Sequence, residues 1–263
     1  MSRKNRIAPE HCFIPDTQVS AGVNTDHLEA LGNYLAARKP DVIVHAGDHW
    51  DMPSLNGWEQ KSSSYFFDKT YEADIVSGNA AMARLLQPIM QERDRIANNK
   101  KKAWNPRLVF LRGNHENRIE RAVKKDPILV GKISYDDLYT DEWEVHDFLK
   151  PVEIDGILYC HYFVNPQSLV RGVLSGTMQN RLNKIKQSFT QGHQQIFDWG
   201  QQYSANGRRL VGCVAGAFYS HEEDYMGPQG TNYYRGIVYK HEVHDGSYDM
   251  MQVSLNYLIR EWL

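Results

Sequence analysis

Cysteine is scarce: Cys12, Cys160 and Cys213 are too few and too far apart for a disulfide framework, and no CxxC pair marks a thiolate zinc site. A reducing compartment is the simpler reading, so a cytoplasmic location is expected. The charged start Met1-Ser2-Arg3-Lys4 leads into no apolar h-region, and no run of about 18 apolar residues occurs, so neither a secretory leader nor a membrane span is expected. Positive charge is not in excess either. Thirty Lys and Arg oppose 32 Asp and Glu, a formal net charge of -2, which leaves any nucleic-acid argument to local patches. Also missing are a Walker A segment and a Gly-x-Gly-x-x-Gly turn before a suitable helix, which removes phosphate-cradling loops from consideration. No Pro/Ser/Gly-rich linker, repeat or low-complexity segment divides the chain.

What is present is an ordinary globular balance, 41% hydrophobic and 24% charged, in 263 residues. One domain is expected over residues 8-260, with a mostly helical insertion at about 54-105. Cys12-Phe13-Ile14, Val42-Ile43-Val44 and Leu108-Val109-Phe110-Leu111 predict strands. Leu28, Leu31 and Leu35 recur at helical spacing, with Asp26 as a candidate cap and Pro40 beyond. Residues from about Thr70 to Lys102 read as helix, with Pro88 a candidate break. The second half is richer in short apolar runs: Ile157 to Cys160, Ser188 to Gln191, Leu210 to Val214, Gly236 to Tyr239 and a possible sheet edge from Met250 to Leu255. This drift from alternating elements to strands predicts a layered α/β architecture.

Polar residues stand where those strands end. Asp16 follows the first, Asp48 the second and Asn114 the third, while His161 and His193 close two strands of the second half. Ligands bind beyond strand C-termini in such folds. Carboxylate, amide and imidazole groups together suit a divalent ion such as Mn, Fe, Ni or Zn better than a structural thiolate site does.

Pro15-Asp16-Thr17-Gln18, Gly47-Asp48-His49-Trp50-Asp51, Gly113-Asn114-His115-Glu116, His161 and Gly192-His193-Gln194-Gln195, in that order, resemble the calcineurin-like metallophosphoesterase family. The resemblance spans roughly residues 12 to 240. It implies two packed mixed β-sheets flanked by helices, a four-layer αββα sandwich. It also implies two divalent ions, Mn foremost, with Mg, Fe, Ni or Zn as alternatives. Asp48 is similar to the bridging carboxylate, Asn114, His161 and His193 to the other ligands of one metal, and Asp16 to a ligand of the second. His115 looks like the residue that binds substrate or protonates the leaving oxygen, and Asp51 is a candidate partner for it. Gln18 and Gln195 stand where the family usually has histidine. They are expected to serve as amide ligands or leave the position to water, which makes the Asp16/Gln18/Gln195 side weaker and more labile.

The expected activity is metal-dependent phosphoester hydrolysis, foremost by a phosphodiesterase acting on nucleic acid or a nucleotide-like diester. A phosphomonoesterase for a phosphoprotein or small metabolite is the alternative, and a non-catalytic binding module with a degenerate metal site is the third reading. Basic residues could contact phosphates along the helical insertion (Arg84, Arg93, Arg95, Lys100-Lys102, Arg107), after His115 (Arg118, Arg121, Lys124, Lys125) and at Arg171, Arg181, Lys184 and Lys186. A solvated helical face accounts for them equally. Trp50, Trp58, Tyr65 and Phe66 could stack bases or simply pack. His45 reads as a core histidine or a partner to the site, and His221 with Glu222, Glu223 and Asp224 as a polar loop. No protein partner is indicated.

Overall fold

The computed structural model describes residues 8-56, 69-99, 103-165, 172-222 and 233-263. The readings placed on Met1-Lys4, Trp58, Tyr65, Phe66, Lys100-Lys102, Arg171, Glu223 and Asp224 lie outside the described residues.

In chain order the first strands are β1 (His11–Ile14), β2 (Val42–His45), β3 (Arg107–Leu111), β4 (Glu144–His146), β5 (Val152–Ile154) and β6 (Ile157–Cys160). There follow β7 (Ser188–Gln191), β8 (Phe197–Tyr203), β9 (Arg209–Ala215), β10 (Gly236–His244) and β11 (Ser247–Ser254). Among the described residues they form a six-stranded sheet in the order β11-β10-β1-β2-β3-β4 and a five-stranded sheet in the order β5-β6-β7-β9-β8. Both are mixed. β1 to β4 run parallel while β10 and β11 are antiparallel additions; β6, β7 and β9 run parallel with β5 and β8 antiparallel at the edges.

Strand alternation explains the layering, because successive side chains point to opposite faces. Cys12, Ile14, Ile43, Leu108 and Phe110 face a core shared with helices α1 (Asp26–Arg38), α2 (Tyr71–Asn98) and, at the chain's end, the helix Leu255–Trp262. Their neighbours Phe13, Val42, Val44, Val109 and Leu111 face the other way, into a second core with Ile157, Tyr159, Val211 and Cys213 of the five-stranded sheet. The outer face of that sheet, with Cys160, Phe189 and Val214, packs on Met178 and Leu182 of the helix Met178–Ile185. Three interlayer cores therefore separate helix, sheet, sheet and helix. A polar link crosses the middle one. The buried Lys240 ammonium donates to Thr190 Oγ1 at 2.5 Å and to the Tyr159 hydroxyl at 3.1 Å, and His11 bonds the same hydroxyl at 2.8 Å.

Two local expectations are corrected. Helix α2 runs unbroken past Pro88. Pro removes one backbone hydrogen bond, but Ala81, Met82, Leu85, Leu86 and Ile89 bury the face on both sides of it, and Gly32 of α1 lies against Leu85 and Pro88 so closely that a Cβ there would overlap the Leu85 carbonyl. Tertiary burial holds the helix together. Asp26 does not cap α1 through its side chain; it accepts an ion pair from Arg84, and its own N–H donates to Asn24 Oδ1 at 2.8 Å.

Candidate metal centre

Because β1, β2 and β3 run parallel, the residues after them emerge at one end of the sheet. Asp16, Asp48 and the Asn114-His115 pair arise there, and His161 and His193 follow the parallel β6 and β7 of the facing sheet. The His161 Nδ1–H donates to the Ala46 carbonyl at 2.8 Å across the two sheets, which turns Nε2 inward. That nitrogen is 2.9 Å from Asn114 Oδ1, 3.2 Å from His193 Nδ1 and 3.4 Å from Asp48 Oδ2. Asp48, His161 and His193 each offer a ligand atom, all within 4.8 Å of one another, which is a grouping able to hold a metal ion. Asp16 is fully buried beside them, its Oδ1 accepting the His193 backbone N–H at 2.9 Å.

The backbone bends hard to make this approach. Asp48, His193, Gln18 and Gln195 all have positive φ, at 47°, 64°, 38° and 57°, a concentration of unfavourable conformations that surrounding structure must enforce. Gly113 and Gly192 allow the contact: a Cβ on Gly113 would overlap Asp48 Oδ1, and one on Gly192 would overlap Asp16 Oδ1. Glu116 enforces the bend at Asp48. Fully buried, its carboxylate accepts the backbone N–H groups of Gly113 and Asp48 on Oε2 (2.7 and 2.9 Å) and of His49 and Trp50 on Oε1 (2.7 and 3.2 Å). It ties the loops after β2 and β3 to each other. Glu116→Gln presents an amide N–H to donors that need acceptors, and is expected to lower the unfolding free energy by about 2–4 kcal/mol. A urea melt checks this: the midpoint falls with an unchanged slope, and an unmoved midpoint contradicts the clamp.

The electrostatics ask for positive charge. Burial and the neighbouring Asp48 carboxylate push the Asp16 pKa up to about 7. Burial opposes ionisation of Asp48 as well, yet His115 and His161 beside it hold that carboxyl well below its ordinary range. Burial disfavours a charged His161, but Asp48 raises its pKa to about 9; burial and His161 together lower His193 to about 4. Asp16 Oδ2 is buried with no hydrogen-bond partner among the described residues, a costly arrangement for an acceptor that a cation would satisfy. The donor set of carboxylates, imidazoles and an amide oxygen fits a divalent ion.

His115 borders the cluster. Its backbone N–H donates to Asp48 Oδ1 at 2.8 Å, its Nδ1 lies 2.8 Å from Asp51 Oδ1, and its Nε2 is 3.7 Å from Asp48 Oδ2. Since a carboxylate only accepts, Nδ1 carries a proton. Burial works against a charged imidazole here, but Asp48 and the Asp51 hydrogen bond raise its pKa nonetheless. Arg118, one helical turn on, reaches the same ring, its Nη2 3.3 Å from Nε2, while Nη1 donates to the Asp51 and Met52 carbonyls at 2.7 and 3.1 Å. In the sequence Arg118 is one of several basic residues after His115 that could contact phosphate, and Glu116 stands in the motif without a role of its own. The three-residue step from His115 to Arg118 on a helix start was the available signal.

The reading of two glutamines in place of metal-ligand histidines is corrected. The grouping that the chain assembles is Asp48, His161 and His193, with no glutamine substituted in it. Gln195 turns Oε1 to the Tyr219 hydroxyl at 2.7 Å. Base stacking by Trp50 is also excluded: the ring is fully buried, and its Nε1–H donates to Asn79 Oδ1 at 3.1 Å. His45 is a buried partner of the Gly47 N–H, at 3.1 Å. Much of the basic charge on the long helix is matched by acids: Arg84 by Asp26, Arg93 by Glu142 and Arg95 by Glu92, with Arg107 on β3 paired to Glu144. Arg181 is buried, donating to Gln194 Oε1 at 2.6 Å.

Two mixed sheets between helices, with an Asp/His/His grouping at the strand ends where the sheets meet, define a metal-dependent hydrolase of the layered α/β class. The family model described as calcineurin-like phosphoesterase matches residues 12–235, and the chain belongs to that family. No curated protein matches the chain. No helix among the described residues is long and apolar enough to cross a membrane.

Proposed function

We propose that the protein hydrolyses phosphodiesters, in nucleic acid or a nucleotide-like molecule, with two divalent ions, manganese foremost. Asp16, Asp48, Asn114, His161 and His193 would hold the ions, which when bound supply Lewis-acid polarisation of the phosphoryl oxygens and activation of the attacking water. The chain's own residues do the rest. Asp51 fixes the proton of His115 on Nδ1, and His115 Nε2, facing the cluster, delivers a proton to the departing oxygen. Arg118, its Nη2 3.3 Å from Nε2, adds positive charge beside the ring that favours release of this proton.

The observation that carries the diester preference is the state of Arg118. Its guanidinium lies against His115, and one of its nitrogens already serves two backbone carbonyls. Asp16, Asp48 and Asp51 crowd the same region. One guanidinium set among three carboxylates suits a phosphate bearing one negative charge better than one bearing two.

The test is hydrolysis by nanomolar, metal-replete protein. The expected kcat/KM on bis-p-nitrophenyl phosphate exceeds that on p-nitrophenyl phosphate by at least about tenfold, a difference of about 1.4 kcal/mol in transition-state stabilisation. The reverse order overturns the diester preference. Silence on both, across Mn, Mg, Fe, Ni and Zn, overturns hydrolysis and leaves a binding module.

A further inference from the structure

Beside the metal cluster lies an open cleft of about 560 Å³ to which the hydrolytic chemistry assigns no task. Tyr162 joins the two. It lines the cleft, and its ring lies 4.4 Å from that of His193, tilted by 35°. Phe148 meets Tyr162 edge to face at 5.6 Å and approaches His161 at 6.1 Å, making a continuous aromatic wall. Also lining the cleft, the Arg112 guanidinium covers the Tyr135 ring at 3.8 Å, a flat cationic and aromatic platform. The platform is braced at both ends: Arg112 Nη1 donates to Asp147 Oδ1 at 2.7 Å, and the Tyr135 hydroxyl donates to Asn117 Oδ1 at 3.2 Å.

The charges are consumed internally. Arg112 is matched by Asp147, and Glu120 by Lys124. A cleft so balanced gives no reward to a second phosphate, whereas flat aromatic and guanidinium surfaces reward a flat, uncharged ring. Carboxylate oxygens of Glu120 and Asp147 at its border can accept from an exocyclic amino group.

We infer that this cleft is a nucleobase subsite, holding the base of an ester whose phosphate lies at the metal cluster, with Tyr135, Arg112, Phe148 and Tyr162 as its stacking surfaces. The inference rests on the phosphoester reading of the site and narrows it to nucleotide-type esters carrying an amino-bearing base. A basic phosphopeptide is the competing occupant. It would use Glu120 and Asp147 but has no use for the aromatic platform.

Calorimetric titration with Mn²⁺ present, which needs no turnover, separates these cases and is independent of whether the ester is cleaved. Adenosine 5′-monophosphate is expected to bind at least about tenfold more tightly than ribose 5-phosphate, the scale of one stacked base. Tyr135→Ala is expected to erase that difference, and Tyr135→Phe, which keeps the ring, to preserve it, with the circular dichroism of each variant showing the fold intact. Equal affinity for the two phosphates overturns the subsite. So does a preference that survives Tyr135→Ala, or tighter binding of a lysine-flanked phosphoserine peptide than of the nucleotide. Failure of bis-p-nitrophenyl phosphate hydrolysis, by contrast, strikes the hydrolase reading and leaves the titration standing.

Discussion

Asp48→Asn is expected to abolish manganese binding and to lower kcat/KM for phosphodiester hydrolysis by at least about three orders of magnitude, since the ion's contribution amounts to several kcal/mol. The substitution is sterically mild. An asparagine can keep its Oδ1 on the His115 N–H, where Asp48 now accepts at 2.8 Å, and offer its amide to His161 Nε2. What disappears is the carboxylate charge at the centre of the cluster. The response to added Mn²⁺ distinguishes this from simple misfolding. Burial and Asp48 together raise the Asp16 pKa to about 7, so removing Asp48 relieves a repulsion between buried carboxylates. His161 and His115 nevertheless lose the carboxylate that pairs with them, so the metal-free variant should melt somewhat below the metal-free parent. Parent protein gains melting temperature on adding Mn²⁺, as any ligand that binds only the folded state ensures, and the variant should gain none. Calorimetry and thermal melts with and without Mn²⁺ read both halves. A variant that still binds the ion and hydrolyses at the parental rate removes Asp48 from the site.

His115→Gln separates proton delivery from metal holding. Nε2 of His115 faces the cluster at 3.7 Å from Asp48, while Nδ1 is occupied by Asp51, so the side chain is placed to give a proton rather than to anchor an ion. Manganese affinity is expected to stay within about threefold of the parent, whereas turnover falls by about 10²-fold or more for an ester with an alkoxide leaving group, the ordinary range for a general acid. A nitrophenolate leaves readily without protonation, so the loss on bis-p-nitrophenyl phosphate should be much smaller, below about tenfold. Equal losses on both leaving groups would refute the acid role and make His115 a substrate-binding or structural group. Asp51→Asn provides a second view. It leaves the ring in place but removes the carboxylate that favours its charged form, and should reproduce a weaker version of the same leaving-group dependence.

The centre could be anticipated because its residues follow short apolar runs, and a run of four or five such residues can be recognised without knowing what it packs against. Asp16, Asp48, Asn114, His161 and His193 were each marked in this way. Their convergence depends on β1 to β3 being parallel and on β6 and β7 facing them, which the order of elements suggested. Other features depended on partners far away in the chain. Trp50 could be read as a stacking surface until α2 covered it. Gln195 occupied a ligand's position in the motif until Tyr219 took its oxygen. Glu116 had no reason to be singled out beyond its place after His115, because its four backbone donors come from two separate loops. The platform of Arg112 on Tyr135 joins the end of β3 to a short turn more than twenty residues later.

By itself the sequence determined the alternating faces of the strands, the absence of a disulfide framework and the polar residues at strand ends, since each follows from local chemistry and a period of two. The tertiary structure decided which of those residues form the Asp48, His161 and His193 grouping, that the Gln195 oxygen is taken by Tyr219, that α2 runs through Pro88, and that an aromatic cleft adjoins the cluster. The physical reason is that a side chain's role there is set by which donors and rings from the other sheet and the outer helices arrive within about 3–4 Å of it, a property of long-range packing that no stretch of neighbouring residues contains.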